Sequence, residues 1–217
     1  MVNRTTEDYV KTIYALGRDG AKVGTSALAA HLGVADASTT GMLQRLSRAG
    51  LVRYERYRGV SLTPNGRRLA VKILRRHRLW EMFLLRFLEY SWDEIHAEAE
   101  RLEHVTSDAL EQRLDRALGF PASDPHGDPI PTADGKLRRP QEGRLSDAAP
   151  GRVVTVARIS DADPEVLKRA ATLGIGLQRK IRIKEQVVAD GSLRVRVGGK
   201  ERVLGAKLAQ SIFVEEG

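Results

Sequence analysis

Six of the chain's eight prolines fall between Pro121 and Pro150, in a stretch also rich in Gly and Asp. Proline fixes φ and has no backbone N–H, so neither a helix nor a central strand can run through such a segment. The chain is therefore expected to fold in two parts around a partly extended, mobile linker over 121–150. The two sides also differ in periodicity. Before the prolines, apolar residues recur at helical spacing; after them, short runs alternate apolar and polar residues.

In the first part, Tyr9, Val10, Ile13 and Tyr14 line one face of a helix that Thr5 opens, with Asp8 three residues on as in a capping box. The segment from Thr25 to Gly50 reads as two helices broken at Gly33, with Asp36 or Ser38 as N-cap of the second and Gly50 as its stop. LVRYERYRGVSLT (51–63) alternates on either side of Arg58 and Gly59, the pattern of a two-stranded wing after a helix-turn-helix. Thr63 and Pro64 start a long helix to about Phe87, Ser91 and Glu94 form a capping box, and a further helix is expected from about Ser107 to Leu118. Beyond the linker, GRVVTVARI, RKIRIKEQVV, LRVRV and ERVLG read as strands, with a helix starting at Asp163 and Pro164, so a small β-barrel carrying one helix is expected.

Composition narrows the chemistry. The 217 residues contain no cysteine, which excludes disulfides, thiolate ligands and thiol nucleophiles and leaves oxygen and imidazole nitrogen to hold any metal. No run of about 18 apolar residues exists, and the start is polar, so a cytoplasmic protein without a membrane partner is expected. The formal charge of +8 comes from 36 basic against 28 acidic residues. Basic residues crowd 45–86 and acidic ones 89–115, which predicts a basic face for a polyanion and an acidic one beside it.

Directly behind the helix-turn-helix-like segment come HRLWE at 77–81 and HAEAERLEH at 96–104. At about 100° per residue, His96, Glu100, Glu103 and His104 share one helical arc bordering Ile95, Ala99 and Leu102. Taken alone, Asp8 reads equally as a cap, and Glu100 and Glu103 as solvated charges. Their joint spacing with two histidines turns the reading toward a metal. His31 and His126 read as structural or exposed. Trp80, Leu84, Leu85, Phe87, Leu88 and Trp92 read as core, part of it a homodimer interface. On the helix-turn-helix, Ser38, Thr39, Thr40 and Gln44 could reach base edges, while Arg45, Arg48 and wing residue Arg58 would hold phosphates.

These residues resemble the diphtheria toxin repressor family of metal-dependent transcription regulators, including its manganese transport regulator branch. The resemblance rests on TTEDYVKTIYAL, LTPNGRRLA, HRLWE, IHAEAERLEHVTSD and GDPIP. It implies a winged helix-turn-helix over 1–63, a helical dimerisation and metal-binding domain over 64–120, the linker over 121–150 and an SH3-like domain over 151–217. It implies a primary metal site of Asp8, Glu100, Glu103 and His104, in which the carboxylates at 8 and 100 follow the manganese branch. Lys11 departs from that branch, where a glutamate contributes to a second metal. An ancillary site would use His77, Glu81 and His96, with Asp163 favoured over Asp161 and Glu165 as the ligand from the SH3-like domain. The function implied is a homodimeric repressor of metal uptake genes that binds a double-stranded DNA operator when loaded with Mn2+, with Fe2+ second and other divalent transition metals binding in vitro. The alternatives are an iron-responsive regulator or, from another class, a metallohydrolase. No HExxH, P-loop or Gly-rich nucleotide motif is present to support an enzyme.

Overall fold

A computed structural model of the chain describes residues 3–17, 21–137, 141–187 and 189–216. It divides into two compact units: Met1–His77, Glu100–Glu111 and Pro131–Leu137 form the first, and Arg78–Ala99, Gln112–Ile130 and Arg138–Gly217 the second.

The first unit begins with α1 (Arg4–Leu16), α2 (Thr25–Leu32) and α3 (Asp36–Arg48), followed by the hairpin β1 (Val52–Glu55) and β2 (Gly59–Leu62). Asn3, not Thr5, caps α1: its side chain accepts the Thr6 N–H, so the helix starts two residues earlier than the capping box predicts. Gly33 ends α2 in the left-handed conformation at φ 65°, as its sequence position requires. Ala35 stands at the N-cap of α3, and Asp36 and Ser38 lie inside the helix. The hairpin is antiparallel with Val52 opposite Leu62 and Glu55 opposite Gly59, and Val23 bridges to Val60. Tyr9, Ile13, Leu28, Leu43, Leu46, Val52 and Val60 close one core beneath the three helices and the wing. Emptying such a position, as in Leu43→Ala, costs about 2–5 kcal/mol.

Thr63 ties the wing to α4 (Pro64–Leu88): its hydroxyl donates to the Gly50 carbonyl at 2.7 Å and accepts the Gly66 N–H at 3.1 Å. Gly66 must be glycine, because a Cβ there would lie 2.0 Å from the Leu51 carbonyl oxygen. Arg75 and Arg76, counted above toward a basic surface, are buried instead. Their Nε atoms reach the two oxygens of Glu111 at 3.0 Å each, and Arg76 also meets Asp108. Removing Glu111 would take a shared carboxylate from two buried guanidinium groups, at a cost of about 3–5 kcal/mol.

The second unit receives the rest of α4, most of α5 (Ile95–Leu102) and α6 (Asp108–Ala117), and the C-terminal sheet. The sheet is antiparallel, in the order β3-β8-β4-β5-β6-β7, from β3 (Gly143–Arg144), β4 (Val153–Ile159), β5 (Lys180–Gln186), β6 (Leu193–Val197), β7 (Lys200–Leu204) and β8 (Ile212–Glu216). The strand pattern anticipates β4 to β7 and misses β3 and β8. Two helices accompany the sheet rather than one: α7 (Pro164–Thr172), capped by Asp163, and the short α8 (Ala206–Ser211). Inward residues such as Val156, Ile181, Ile183, Val195 and Ile212 are fully buried with Leu167 and Ala209 of the helices.

The proline-rich stretch is not a free linker over its first part. The Asp124 carboxylate accepts the N–H groups of His126 at 2.8 Å and Asp128 at 2.9 Å, which folds the backbone on itself. Gly127, at φ 92°, sits so close to the sheet that a Cβ would lie 2.2 Å from the Ala157 carbonyl oxygen. Arg78 clamps the turn through Asp124, Asp128 and the Pro129 carbonyl, and Ile130 packs with Leu79 and Leu118. Residues 138–140 lie outside the described residues.

Candidate metal centres and nucleic-acid interface

In the first unit, Asp8 projects from α1 and Glu103 and His104 from the turn after α5, with one donor atom of each within 4.8 Å of the others. His104 Nε2 is 2.9 Å from Asp8 and 3.4 Å from Glu103. The other ring nitrogen lies 2.6 Å from Glu7 Oε2, a contact that orients the ring so that Nε2 faces Asp8 and Glu103. Glu7 was not singled out in the sequence; its place one residue before Asp8 is the only signal it carries. Burial raises the Asp8 carboxyl above its ordinary value, with His104 and Arg4 acting against it.

Glu103 is buried, which by itself raises its pKa, yet a hydrogen bond with His77 and the charge of Lys11 outweigh that and hold it below the usual range. Lys11 Nζ lies 2.8 Å from both Glu103 oxygens, 3.3 Å from His77 Nδ1 and 3.7 Å from Glu100. His77 Nδ1 is also 2.5 Å from Glu103. Glu100, expected among the ligands, is half exposed and does not join the converging donors Asp8, Glu103 and His104 found among the described residues.

The single helical arc of the sequence reading does not hold. α5 ends at Leu102, so Glu103 and His104 leave the helix and serve the first unit, while His96 belongs to the second. There His96 Nδ1 lies 3.3 Å from Glu81 and 3.5 Å from Asp161. Burial would lower the His96 pKa, but hydrogen bonds with Asp161 and Glu81 push it up to about 10. Asp161, in the segment between β4 and α7, is the carboxylate beside His96. Asp163, the favoured ligand, is spent elsewhere: it caps α7 through the Glu165 N–H and pairs with Lys207.

Glu81 also converges with two residues that were not assigned a metal, Asp124 and His126, again within 4.8 Å. All three are buried. His126 stacks on Trp92 at 5.2 Å between ring centroids, and its Nδ1 faces Glu81 at 4.0 Å with no hydrogen-bond partner among the described residues. Burial, then Glu81 and Asp128, raises the Asp124 carboxyl well above its usual value, against the pull of Arg78. An unsatisfied buried imidazole nitrogen beside buried carboxylates fits a bound cation, which would satisfy the nitrogen and favour the charged carboxylates. Both clusters thus offer the oxygen and imidazole donors that a hard or borderline divalent ion takes.

On the DNA side, α3 presents Ser38, Gln44, Arg45 and Arg48 to solvent, with Thr40 partly covered. Thr39, expected to read bases, is fully buried and accepts a hydrogen bond from Tyr9 at 3.4 Å, so it packs α3 onto α1. Arg58 is exposed in the wing and lies 3.8 Å from Glu55. The wing tip also carries Tyr57, 91% exposed at φ 66° with Arg56 over its ring at 5.0 Å, an aromatic that the alternation pattern does not distinguish from a strand residue. No helix among the described residues is long and apolar enough to cross a membrane.

Comparison with known proteins accounts for nearly the whole chain. Residues 1–60 match the family described as iron dependent repressor, N-terminal DNA binding domain. Residues 63–132 match its metal binding and dimerisation domain, and 143–216 a FeoA domain. The iron-dependent repressor IdeR of Mycobacterium tuberculosis is 30% identical over 225 residues, covering 98% of this chain and 97% of its own length. The diphtheria toxin repressor of Corynebacterium diphtheriae is 31% identical over 222 residues, covering 98% and 97%. Among solved structures, a manganese-dependent transcriptional repressor in complex with manganese aligns at a TM-score of 0.91 with 42% identity, covering 97% of this chain and 99% of that one. ScaR with bound Zn2+ aligns at 0.83 with 33% identity, covering 97% and 99%.

Proposed function

Given that the chain belongs to the diphtheria toxin repressor family, whose members are metal-dependent DNA-binding repressors and not enzymes, we propose that its activating ion is Mn2+. Its DNA-binding and dimerisation domains make it a homodimer acting on operator DNA, in the cytoplasm, and its C-terminal sheet is the SH3-like FeoA domain. The observation that carries the choice of metal is the donor set of the first unit: Asp8, Glu103 and His104 converge without a sulfur ligand. Hard carboxylates suit Mn2+, and without thiolate or thioether the softer metals lose their preferred partner. The solved manganese-dependent repressors similar to this chain support the same choice.

Asp8, Glu103 and His104 would hold the activating ion, with Glu7 orienting His104. A second ion would fall to Glu81, His96, Asp124, His126 and Asp161. The bound ion supplies positive charge and fixed bonds to oxygen and nitrogen. Without it, the carboxylates of Asp8 and Glu103 oppose one another across the α1 boundary, and α1 is held there mainly by His104 and Lys11. Drawing Asp8 toward Glu103 and His104 fixes α1 and, through the Tyr9–Thr39 contact, α3. The two recognition helices of the dimer are then fixed for successive major grooves, a population shift toward the DNA-competent state. Ser38, Thr40 and Gln44 are assigned to base edges, and Arg45, Arg48 and Arg58 to phosphates.

The experiment is an operator titration by fluorescence anisotropy with Mn2+, Fe2+ under anaerobic conditions, Zn2+ or chelator. The proposal expects tight binding with Mn2+ at concentrations where Fe2+ gives little and chelator none. Equal activation by Fe2+ at lower concentration would reassign the protein to iron.

A further inference from the structure

We infer that the ring of Tyr57 reads DNA shape: carried at the tip of the wing, it enters the minor groove beside each half-site and makes binding depend on the width and flexibility of that groove. The inference rests on the reading of α3 and the wing as the DNA face, and not on the choice of metal. The hairpin puts the ring where it is. Glu55 pairs with Gly59, so Arg56, Tyr57 and Arg58 make the connection between β1 and β2. The Arg58 N–H donates to the Glu55 carbonyl at 3.0 Å, which sets Tyr57 at the third position of a turn, with φ 66°. Glycine or asparagine is favoured there, because a Cβ crowds the left-handed backbone. This turn instead carries a tyrosine 91% exposed, the most exposed large hydrophobic side chain among the described residues.

The hairpin thus bears a strained residue and a bare ring, and neither serves its core, which Val52 and Val60 close from the strands. A strained backbone held in a well-supported element points to a use for the side chain it displays. The support is firm: Val23 and Val60 exchange backbone hydrogen bonds at 2.8 and 2.9 Å, and Glu55 pairs with Lys22 at 2.8 Å. The ring also stands between two cations. The Arg56 guanidinium lies over it at 5.0 Å, and the Arg58 side chain is 79% exposed. A narrow minor groove concentrates negative potential that draws arginine in, and an apolar side chain gains contact where a base step unstacks readily. An aromatic ring flanked by guanidinium groups combines the two, and it senses groove shape because the minor groove offers little base code. An incidental surface tyrosine, covered by its own arginine, predicts no effect on DNA binding when the ring is removed.

The test uses the full-length protein, loaded with the ion that activates it in the titration above, and labelled duplexes in which the operator is flanked by A·T or by G·C pairs. Tyr57→Gly and Tyr57→Asn both accept the left-handed backbone, so they should unfold at the wild-type temperature or above. Both are expected to bind the A·T-flanked operator about tenfold or more weakly than wild type, the loss of one stacked aromatic. Both should also lose the wild-type preference for A·T over G·C flanks. Tyr57→Phe keeps the ring and should bind as wild type does. Because the ring carries no charge, the slope of log affinity against log salt should hold in the Tyr57 variants and fall by about 1 per subunit in Arg58→Gln. Unchanged affinity in Tyr57→Gly, or an equal loss on both flanks, overturns the inference. So does a fall in thermal stability in step with affinity, which would make the ring a structural part of the wing. If Arg45→Gln and Arg58→Gln also leave binding unchanged, the DNA-face reading falls, and this inference with it.

Discussion

The two candidate centres use the same residue types and balance their charge in opposite ways. In the first unit a lysine lies among the carboxylates and His104 is oriented by Glu7. In the second, Glu81 and Asp124 are buried together, and protons take up part of the charge: His96 is pushed up to about 10 and the Asp124 carboxyl is raised. The difference teaches that a buried carboxylate cluster can balance its charge with a tethered ammonium or with protonatable neighbours, and that the choice sets how the centre responds to pH.

The largest separation should come from removing one buried carboxylate at a time. Glu103→Gln is expected to weaken Mn2+-dependent operator binding by more than the roughly 10–100-fold typical of outer-shell changes. Glu81→Gln should remove the second-unit ion while leaving a first-unit ion in place, as counted by mass spectrometry. If both variants lose the same ions, the centres are not separate.

Next in size is the pH response. With the folded His96 pKa at about 10, against an ordinary 6.5, the imidazolium stabilises the metal-free fold fully below pH 6.5, and that contribution is lost as pH rises through 10. An ion that binds through neutral His96 must displace this proton, so second-unit affinity should rise about tenfold per pH unit between 6 and 8. Calorimetry in buffers of different ionisation heat reads the released proton directly; in Glu81→Gln the release should fall.

Glu7→Gln sharpens the first centre: weaker orientation of His104 should reduce Mn2+ affinity about tenfold without changing the number of ions. The smallest effect is expected at Asp163. Asp163→Asn keeps a capping side chain, so a shift of about 1 kcal/mol or less in thermal stability is expected, with ion binding unchanged. Asp161→Asn should instead lower second-unit affinity, which separates the two aspartates that sequence alone left close together.

Much of the architecture was legible because local chemistry dictates it. Gly33 with a left-handed φ, Thr63 before Pro64, and Asp163 before Pro164 each do what their residue types favour wherever they occur. The failures lie where tertiary contacts decide. A helical wheel continues an arc indefinitely, but α5 stops at Leu102, and of the expected four-residue face Glu103 and His104 join one centre, His96 the other and Glu100 neither. The prolines of 121–150 suggested a mobile linker, whereas the Asp124 turn is ordered by its own side chain and by Arg78; the D-P-H-G-D string held that signal at the level of turn chemistry. His126 carried no local pattern, since its partner Glu81 is 45 positions earlier in the chain. Thr39 looked like a base reader from its helix alone, and only the packing of Tyr9 against it shows otherwise.

The central claim is that a cation drawn to Asp8, Glu103 and His104 fixes α1 and thereby the DNA-reading elements. Hydrogen exchange of the Arg4–Leu16 backbone, measured with and without Mn2+ in wild type and in Asp8→Asn, tests this most directly. The account predicts slowed exchange in α1 on Mn2+ addition to wild type, with little change in the variant. Operator binding that strengthens with Mn2+ while α1 exchanges at the same rate in both proteins would contradict it.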